Sequence, residues 1–267
     1  MFGLFKSKKE KEPAASLPQR LAAVSQSETG LVRPNNEDHL YVSLPRRVFC
    51  VADGMGGGAE GERASEIVCA AVRQMMAACG ESFDARVAAA CRAIEEANDY
   101  IYAYAQERGY GRMGTTAVVL VFDVADLRRV AVIHVGDSRL YRIRGGLAEA
   151  LTRDHSVGFA LGDVAGARAE QFRDRANPLA HVLTRAIGSD ESVRCTVTET
   201  DARVGDRFVL CTDGVHDVIS NARLAIFAGG GTLDAARERL SAEVVKCGAP
   251  DNYSFIILSV GGEGNLA

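Results

Sequence analysis

The sequence of 267 residues predicts an α+β fold in which two β-sheets pack face to face with helices on their outer surfaces. Many short apolar runs separated by turn residues indicate antiparallel strands. Two long amphipathic helices follow one another with no strand between them, whereas a doubly wound parallel sheet would alternate strands and helices. Because residues 18–262 contain no internal repeat and no linker, we expect one domain there, after a disordered tail at 1–17.

Apolar residues at helical spacing place the helices. From about Ala59 to Cys79 they recur at i and i+4 and form one stripe, and Gly80 is a suitable end. A second helix, from about Phe83 to Glu107, has its own apolar face. A third helix is predicted at 232–246.

The strands are predicted where apolar, β-branched runs lie between turn residues. Short β-rich runs also occupy the segment before residue 58. The later strands are predicted at 115–124, 129–135, 139–143, 193–199, 207–212 and 253–260. Gly145 and Gly146 indicate a hairpin. Residues 156–180 are alanine-rich and weakly periodic, so we expect an inserted loop with a short helix there.

Composition and charge exclude several classes of protein. A net charge of −4 disfavours nucleic-acid binding, and no apolar run approaches the roughly 18 residues of a membrane span. The seven cysteines form no C-x-x-C pair, which favours free thiols in a reducing cytosol. We therefore expect a cytoplasmic protein that neither binds nucleic acid nor inserts stably into a membrane, and we expect a monomer.

Acidic residues recur where predicted strands end. An ionised carboxylate near a core is costly unless a cation or a donor compensates it. Together with two acids that follow a turn near the N-terminus, the set comprises Glu37, Asp38, Asp53, Asp137, Asp213 and Asp251. Carboxylate oxygens are the ligands that Mg²⁺ and Mn²⁺ prefer. The pattern therefore predicts an oxygen-lined site for divalent cations.

Such a site suits phosphate chemistry. Two divalent cations about 3.5–4 Å apart convert a shared water into a hydroxide that attacks phosphorus in line. Arg33 is a natural group to bind phosphate oxygens in a bidentate manner. Taken singly, an Asp-Gly step is most often a turn, and a lone arginine is most often a surface residue. Only the acidic residues and Arg33 taken together indicate a site for phosphate chemistry.

Eight motifs follow one another in a characteristic order. They are Arg33-Pro34-Asn35-Asn36-Glu37-Asp38, Val51-Ala52-Asp53-Gly54-Met55-Gly56-Gly57, Met113-Gly114-Thr115-Thr116, Val135-Gly136-Asp137-Ser138-Arg139, Leu151-Thr152-Arg153-Asp154-His155-Ser156, Leu183-Thr184-Arg185-Ala186-Ile187-Gly188, Cys211-Thr212-Asp213-Gly214-Val215 and Asp251-Asn252. Over about residues 20–260, the chain thereby resembles the metal-dependent PP2C-type serine/threonine protein phosphatases, in their bacterial branch. The resemblance implies a four-layer α/β/β/α sandwich, with a central antiparallel β-sandwich between helices.

The resemblance also implies a role for each site residue. Asp53 would bridge two Mn²⁺ or Mg²⁺ ions and serve catalysis together with Arg33 and Asp213. Asp213 and Asp251 would bind the first ion. The second ion would be bound by the Gly54 carbonyl and by Glu37, directly or through water.

Four further side chains have implied roles around these ions. Asp38 and Asn252 would hold metal-bound waters, and Asp137 with Asp213 would bind a weaker third ion. Arg33 would bind the substrate phosphate. The Asp154-His155-Ser156 and Thr184-Arg185 segments are expected to fix loops near the site rather than to perform chemistry.

The implied function is hydrolysis of phosphoserine and phosphothreonine in proteins, opposing a Ser/Thr kinase or acting on its targets. Met55 stands where the animal branch has a histidine that acts as general acid, which leaves that role unassigned. The segment from Thr29 to His39 is also similar to the opening of phosphatases paired with secretion-system kinases. Two alternatives stay open: a catalytically silent binding module, and another two-metal phosphoesterase.

Overall fold

The computed structural model describes residues 20–57, 59–111, 113–164, 169–173 and 177–261. Its strands are β1 (Arg20–Glu28), β2 (Asp38–Ser43), β3 (Val48–Met55), β4 (Gly114–Thr115), β5 (Ala117–Phe122), β6 (Arg129–Val135), β7 (Arg139–Arg144), β8 (Leu147–Ala150), β9 (Thr196–Asp201), β10 (Arg207–Cys211) and β11 (Tyr253–Gly261). Its helices are α1 (Ala59–Ala78), α2 (Phe83–Arg108), α3 (Val157–Val164), α4 (Ala169–Arg173), α5 (Asp213–His216), α6 (Asn221–Ala228) and α7 (Leu233–Lys246), with a 3-10 helix at Pro178–His181.

The strands form two antiparallel sheets. The first sheet has the order β1-β11-β10-β7-β8, and the second has the order β2-β3-β5-β6-β9, with β4 paired to β3. Their inner faces meet in an apolar core that includes Phe49, Phe122 and Phe208. These rings pack edge to face, with centroids 6.3 Å and 5.7 Å apart. Burial of large aromatic side chains on both inner faces holds the sandwich together.

Helices cover both outer faces. One outer core joins α1 and α2 to the second sheet, and another joins α5, α6 and α7 to the first sheet. In α2, Ser82 caps the N-terminus by accepting from the Ala85 amide, and Gly109 ends the helix at a φ of 67°. The resulting four layers confirm the predicted α/β/β/α sandwich.

The predicted helices at 59–79, 83–107 and 232–246 agree with the structure to within a residue or two. Thr116 interrupts the strand predicted at 115–124, and the strand predicted from 193 begins at Thr196. The hairpin indicated by Gly145 and Gly146 is present, since β7 and β8 pair in antiparallel fashion on either side of them. Two short helices, α5 and α6, escaped prediction. Each is too short to show a clear period in the sequence.

The segment at 156–180 contains α3, α4 and the start of the 3-10 helix, rather than a single short helix. The tail predicted at 1–17 lies outside the described residues, and the domain boundaries of 18–262 stay a prediction. None of the described helices combines the length and the hydropathy that crossing a membrane requires.

Candidate metal centre

A cleft of about 890 Å³ opens at the end of the sandwich where β3, β6 and β10 end and β11 begins. All but one of the predicted site residues line it. They are Arg33, Glu37, Asp53, Gly54, Asp137, Asp213, Asp251 and Asn252. The exception, Asp38, is a buried residue opposite Asp53 in the β2–β3 pairing. Residues from distant parts of the sequence thus meet at one end of the two sheets.

The break between β4 and β5 fixes the backbone of Asp53. The Asp53 carbonyl accepts hydrogen bonds from the Thr116 amide at 2.9 Å and the Thr115 hydroxyl at 2.7 Å. The Asp53 amide in turn donates to Thr116 Oγ1 at 3.3 Å. Because both backbone groups of Asp53 are satisfied, its carboxylate is held in place at the end of β3. The two threonines therefore hold the Asp53 backbone in position.

A turn at Gly136 carries Asp137 into the cleft, and a close approach between β3 and α1 places Gly54 there. Gly136 has a φ of 94°, and a Cβ there would clash with the Thr116 side chain. A Cβ on Gly54 would clash with the Gly61 backbone of α1. These close approaches require glycine, and they set the positions of the Asp137 side chain and the Gly54 carbonyl.

Glu37 is confined by its surroundings. The Gly54 amide donates to the Glu37 carbonyl at 3.1 Å, and a Cβ on Gly61 would overlap Glu37 Oε2. Sequence reasoning missed Gly61, because nothing in the sequence shows that the first turn of α1 meets the Glu37 carboxylate.

Asn252 organises the loop that carries Arg33 and Glu37. Its Oδ1 accepts from the Glu37 amide at 3.0 Å, and its Nδ2 donates to the carbonyls of Thr29 and Asn35 at 2.8 and 2.7 Å. These contacts tie β11 to the loop between β1 and β2. The implied role of Asn252 in holding a metal-bound water stays a prediction.

The carboxylates crowd one another. Burial is the main cause that raises the pKa of Asp53 well above its usual range, and the nearby charges of Asp38, Asp213, Asp137 and Asp251 add to it. Burial likewise raises the pKa of Asp38 to about 7, although the Thr212 hydroxyl opposes this by donating to Asp38 Oδ2 at 2.9 Å. Within the described chain, buried Asp38 Oδ1 has no hydrogen-bond partner. A positive charge nearby would stabilise the ionised forms of both Asp53 and Asp38.

This donor set fits hard divalent cations, because it consists of carboxylate and carbonyl oxygens. Across the described residues, no three acidic, histidine or cysteine side chains are arranged so that they could hold a metal ion as they stand. Mg²⁺ keeps several waters and binds through one or two carboxylates, so a complete protein cage is not required. Moreover, Asp251 is engaged by Arg33, whose Nη2 lies 2.7 Å from Asp251 Oδ2.

Loops behind the cleft are braced by the residues expected to do so. Arg139 binds both carboxylate oxygens of buried Asp154, at 2.8 and 2.6 Å. His155 Nδ1 accepts from the Gly136 amide at 3.1 Å, next to Asp137. Arg185 Nη1 donates to the Arg194 carbonyl at 2.9 Å.

A histidine that sequence reasoning did not single out also lines the cleft. His181 Nδ1 lies 3.4 Å from Asp217 Oδ2, and His216 Nδ1 lies 3.1 Å from Asp217 Oδ1. His216 Nε2 is 3.0 Å from the Asp137 carbonyl, to which it donates. This chain of contacts links the end of the 3-10 helix, at His181, to the Asp137 turn. Lone histidines carry no sequence signal for such an arrangement.

Comparison with known proteins decides the family. The sequence profile of the family described as Protein phosphatase 2C matches residues 32–244. The chain belongs to the protein phosphatase 2C family. The serine/threonine protein phosphatase PstP of Mycobacterium tuberculosis is 33% identical over 242 residues, which cover 90% of this chain and 45% of PstP. The chain thus spans about half the length of this relative.

Solved structures of the protein phosphatase 2C family share the fold. PppA, described as a key regulatory component of T6SS in Pseudomonas aeruginosa, has a TM-score of 0.80 at 30% identity, over 91% of this chain and 100% of that one. The catalytic domain of PstP, in complex with two manganese ions, has a TM-score of 0.79 at 31% identity, over 91% and 100% of the two chains. Both cover almost the whole described sandwich.

Proposed function

We propose that this protein is a metal-dependent phosphatase that hydrolyses phosphoserine and phosphothreonine in proteins. The observation that carries the proposal is the convergence of five acidic side chains and Arg33 on one cleft. The names of the relatives support the substrate class, and the two manganese ions bound by PstP support the cofactor. We propose Mn²⁺ or Mg²⁺ as the cofactor, with two core ions and a weaker third.

Different residues would bind the different metal ions. Asp53 would lie between the two core ions, with Asp213 and Asp251 on one side. The Gly54 carbonyl and Glu37 would serve the other side, and Asp137 with Asp213 would serve the third ion. When bound, the two core ions would supply a bridging hydroxide nucleophile at neutral pH and would neutralise charge on the phosphoryl group.

Arg33 would orient the substrate. Its guanidinium is half exposed at the cleft and pairs with Asp251 at 2.7 Å. Binding of a cation by Asp251 would release Arg33, whose planar donors match phosphate oxygens in a bidentate geometry. Arg33 would then hold the phosphoryl group above the carboxylates. Fixing the phosphorus in this way contributes to catalysis by positioning.

Hydrolysis of a phosphothreonine peptide tests the proposal. With Mn²⁺ the protein should release phosphate, and chelation or the Asp213→Asn substitution should abolish release. Asp126→Asn is the matched control, since Asp126 is an exposed residue that pairs with Arg128 far from the cleft. Full activity in Asp213→Asn would contradict the metal assignment. Tight binding of the phosphopeptide without turnover would instead favour the silent module, and preference for a nucleotide diester would favour another phosphoesterase.

The partner we propose is a Ser/Thr kinase or its targets. The support is the substrate class of the relatives and the description of PppA as a regulatory component. Phosphoproteomic comparison of cells with and without the gene would identify the targets: phosphoserine and phosphothreonine sites should gain occupancy on deletion. A monomeric state and a cytoplasmic location stay predictions.

A further inference from the structure

Two pairs of cysteines lie close in space away from the acidic side chains of the cleft. In the first pair, Cys91 lies in α2 and Cys195 lies directly before β9, with Cys195 Sγ 4.0 Å from the Cys91 carbonyl oxygen. In the second pair, Cys50 in β3 and Cys69 in α1 have their Sγ atoms 3.9 Å apart. All four are free thiols. The two pairs differ in their solvent exposure, in the acidity of their thiols and in whether they lie within regular secondary structure.

We propose that Cys91 and Cys195 form a thiol modification site, which hydroperoxides oxidise to an intramolecular disulfide. Both residues are partly exposed, so a small oxidant reaches them. Cys50 is fully buried and Cys69 is 7% exposed, so the second pair is shielded. Exposure together with thiolate character determines which cysteines react with oxidants.

The two thiols of the exposed pair have unequal acidity. A hydrogen bond from the Cys195 thiol is the main cause that lowers the pKa of Cys91, and the charge of Arg92 acts in the same direction. The same hydrogen bond raises the pKa of Cys195. Because the thiolate is the nucleophile, Cys91 is the attacking residue and Cys195 is the resolving one. In the buried pair, the hydrogen bond from Cys69 and burial raise the pKa of Cys50.

The chemistry balances with a hydroperoxide as the oxidant. The Cys91 thiolate attacks the peroxide oxygen, the O–O bond breaks, and a sulfenic acid and one water form after protonation when the oxidant is hydrogen peroxide. Cys195 then attacks the Cys91 sulfur as a thiolate, and the proton lost from Cys195 passes to the departing hydroxide, so that the S–S bond forms and a second water leaves. Two thiols lose two electrons in total, and the peroxide gains them.

The local structure allows the two sulfur atoms to meet. A disulfide requires them to approach to about 2 Å. Cys195 lies in the segment that precedes β9, outside any helix or strand, so it can shift toward α2. Cys50 and Cys69 are both held inside regular elements of the core. The same approach would distort β3, which carries Asp53.

Oxidation of Cys91 and Cys195 would affect the cleft through Arg185. Arg185 Nη1 donates to the Arg194 carbonyl at 2.9 Å and to Thr196 Oγ1 at 3.3 Å, and these two residues flank Cys195. Arg185 itself lines the cleft. A shift of Cys195 toward α2 therefore moves both anchors of Arg185. This consequence rests on the proposed phosphatase function, whereas formation of the disulfide does not.

Peptide mapping of the full chain after treatment with hydrogen peroxide tests the site. The expected product is a Cys91–Cys195 cross-linked peptide that dithiothreitol separates, with Cys50 and Cys69 still reduced and open to alkylation only after unfolding. In Cys195→Ser, Cys91 should stop at a sulfenic acid that dimedone traps. The control Cys79→Ser alters another partly exposed thiol and should leave the cross-link intact.

Each result bears on a separate part of the proposal. If Cys91 and Cys195 stay reduced, or if Cys50 and Cys69 cross-link first, the site is not the one assigned here. Phosphopeptide hydrolysis should fall on oxidation and recover with dithiothreitol in the wild type, and Cys91→Ser should be insensitive. A cross-link that forms without any change in hydrolysis by an active enzyme would overturn the connection through Arg185 alone. An inactive enzyme that still forms the cross-link would refute the proposed function and leave the modification site standing.

Discussion

Arg33 and Asp251 form an ion pair at the cleft, with Nη2 and Oδ2 2.7 Å apart. The pair joins the proposed phosphate-binding group to a proposed metal ligand. On the proposed assignment, a cation on Asp251 would compete with Arg33 for the carboxylate. Metal binding and substrate binding would then be coupled through this contact.

Substitution of Arg33 should accordingly move metal affinity and catalysis in opposite directions. In Arg33→Ala, Asp251 no longer has a competing cation, so Mn²⁺ should bind more tightly. The loss of charged hydrogen bonds to phosphate should lower kcat/KM for a phosphothreonine peptide roughly 10- to 100-fold. Calorimetric titration with Mn²⁺ and steady-state kinetics measure the two effects. If metal affinity and kcat/KM both decline, the ion pair does not have this role.

Addition of a single methyl group at Gly61 should weaken metal binding, although Gly61 is not itself a proposed ligand. A Cβ there would overlap Glu37 Oε2, so Gly61→Ala should displace the Glu37 carboxylate and raise the Mn²⁺ concentration needed for half-maximal activity. Gly230→Ala is the matched control, because a Cβ at Gly230 meets nothing within 4 Å. Equal metal dependence of the two variants would show that Glu37 is not displaced or is not a ligand.

The stacked histidines behind the Asp137 turn should make stability depend on pH. His134 and His155 have ring centroids 4.6 Å apart. Burial is the main cause that lowers the pKa of both, and it lowers the pKa of His155 to about 3, with the neighbouring charges of His134 and Arg185 adding to it. The folded state then keeps His155 neutral where the unfolded state takes up a proton. The contribution of His155 to stability is therefore fully present above about pH 6.5 and is lost as the pH falls from there toward 3.

Melting temperatures recorded in metal-free buffer between pH 8 and pH 5 test this expectation. Below about pH 6.5 the melting temperature of the wild type should fall relative to that of His155→Gln, because the raised pKa values of Asp53 and Asp38 affect both proteins equally. The glutamine oxygen can still accept the hydrogen bond from the Gly136 amide, which limits other damage. If the melting temperatures of the wild type and the variant depend on pH in the same way, other groups are responsible for that dependence.

The sequence predicts the site better than it predicts the supports of the site. Asp53 and Asp213 could be found because each follows an apolar strand, and their charge has no local compensation. Gly61 and His181 could not be found in this way, because their roles depend on contacts with Glu37 and Asp217, which are distant in sequence.

The fold shows the same division. Long elements such as α2 were predicted because many residues share one period, whereas α6 has only eight residues and no clear stripe. The break at Thr116 escaped prediction because Thr115 to Val124 is compatible with one continuous strand. Only tertiary contact with the Asp53 backbone explains why the chain leaves the strand there.

Thermal unfolding of the wild type and of Asp53→Asn, with and without Mn²⁺, shows whether the carboxylates of the cleft form a cation site. Without metal, Asn at position 53 removes a carboxyl group whose ionisation is opposed by its surroundings and by four other carboxylates, so the melting temperature should rise. With Mn²⁺ the wild type should gain stability by mass action, and the variant should gain little or none. If the variant is less stable without metal and equally stabilised by Mn²⁺, these carboxylates do not form a cation site around Asp53.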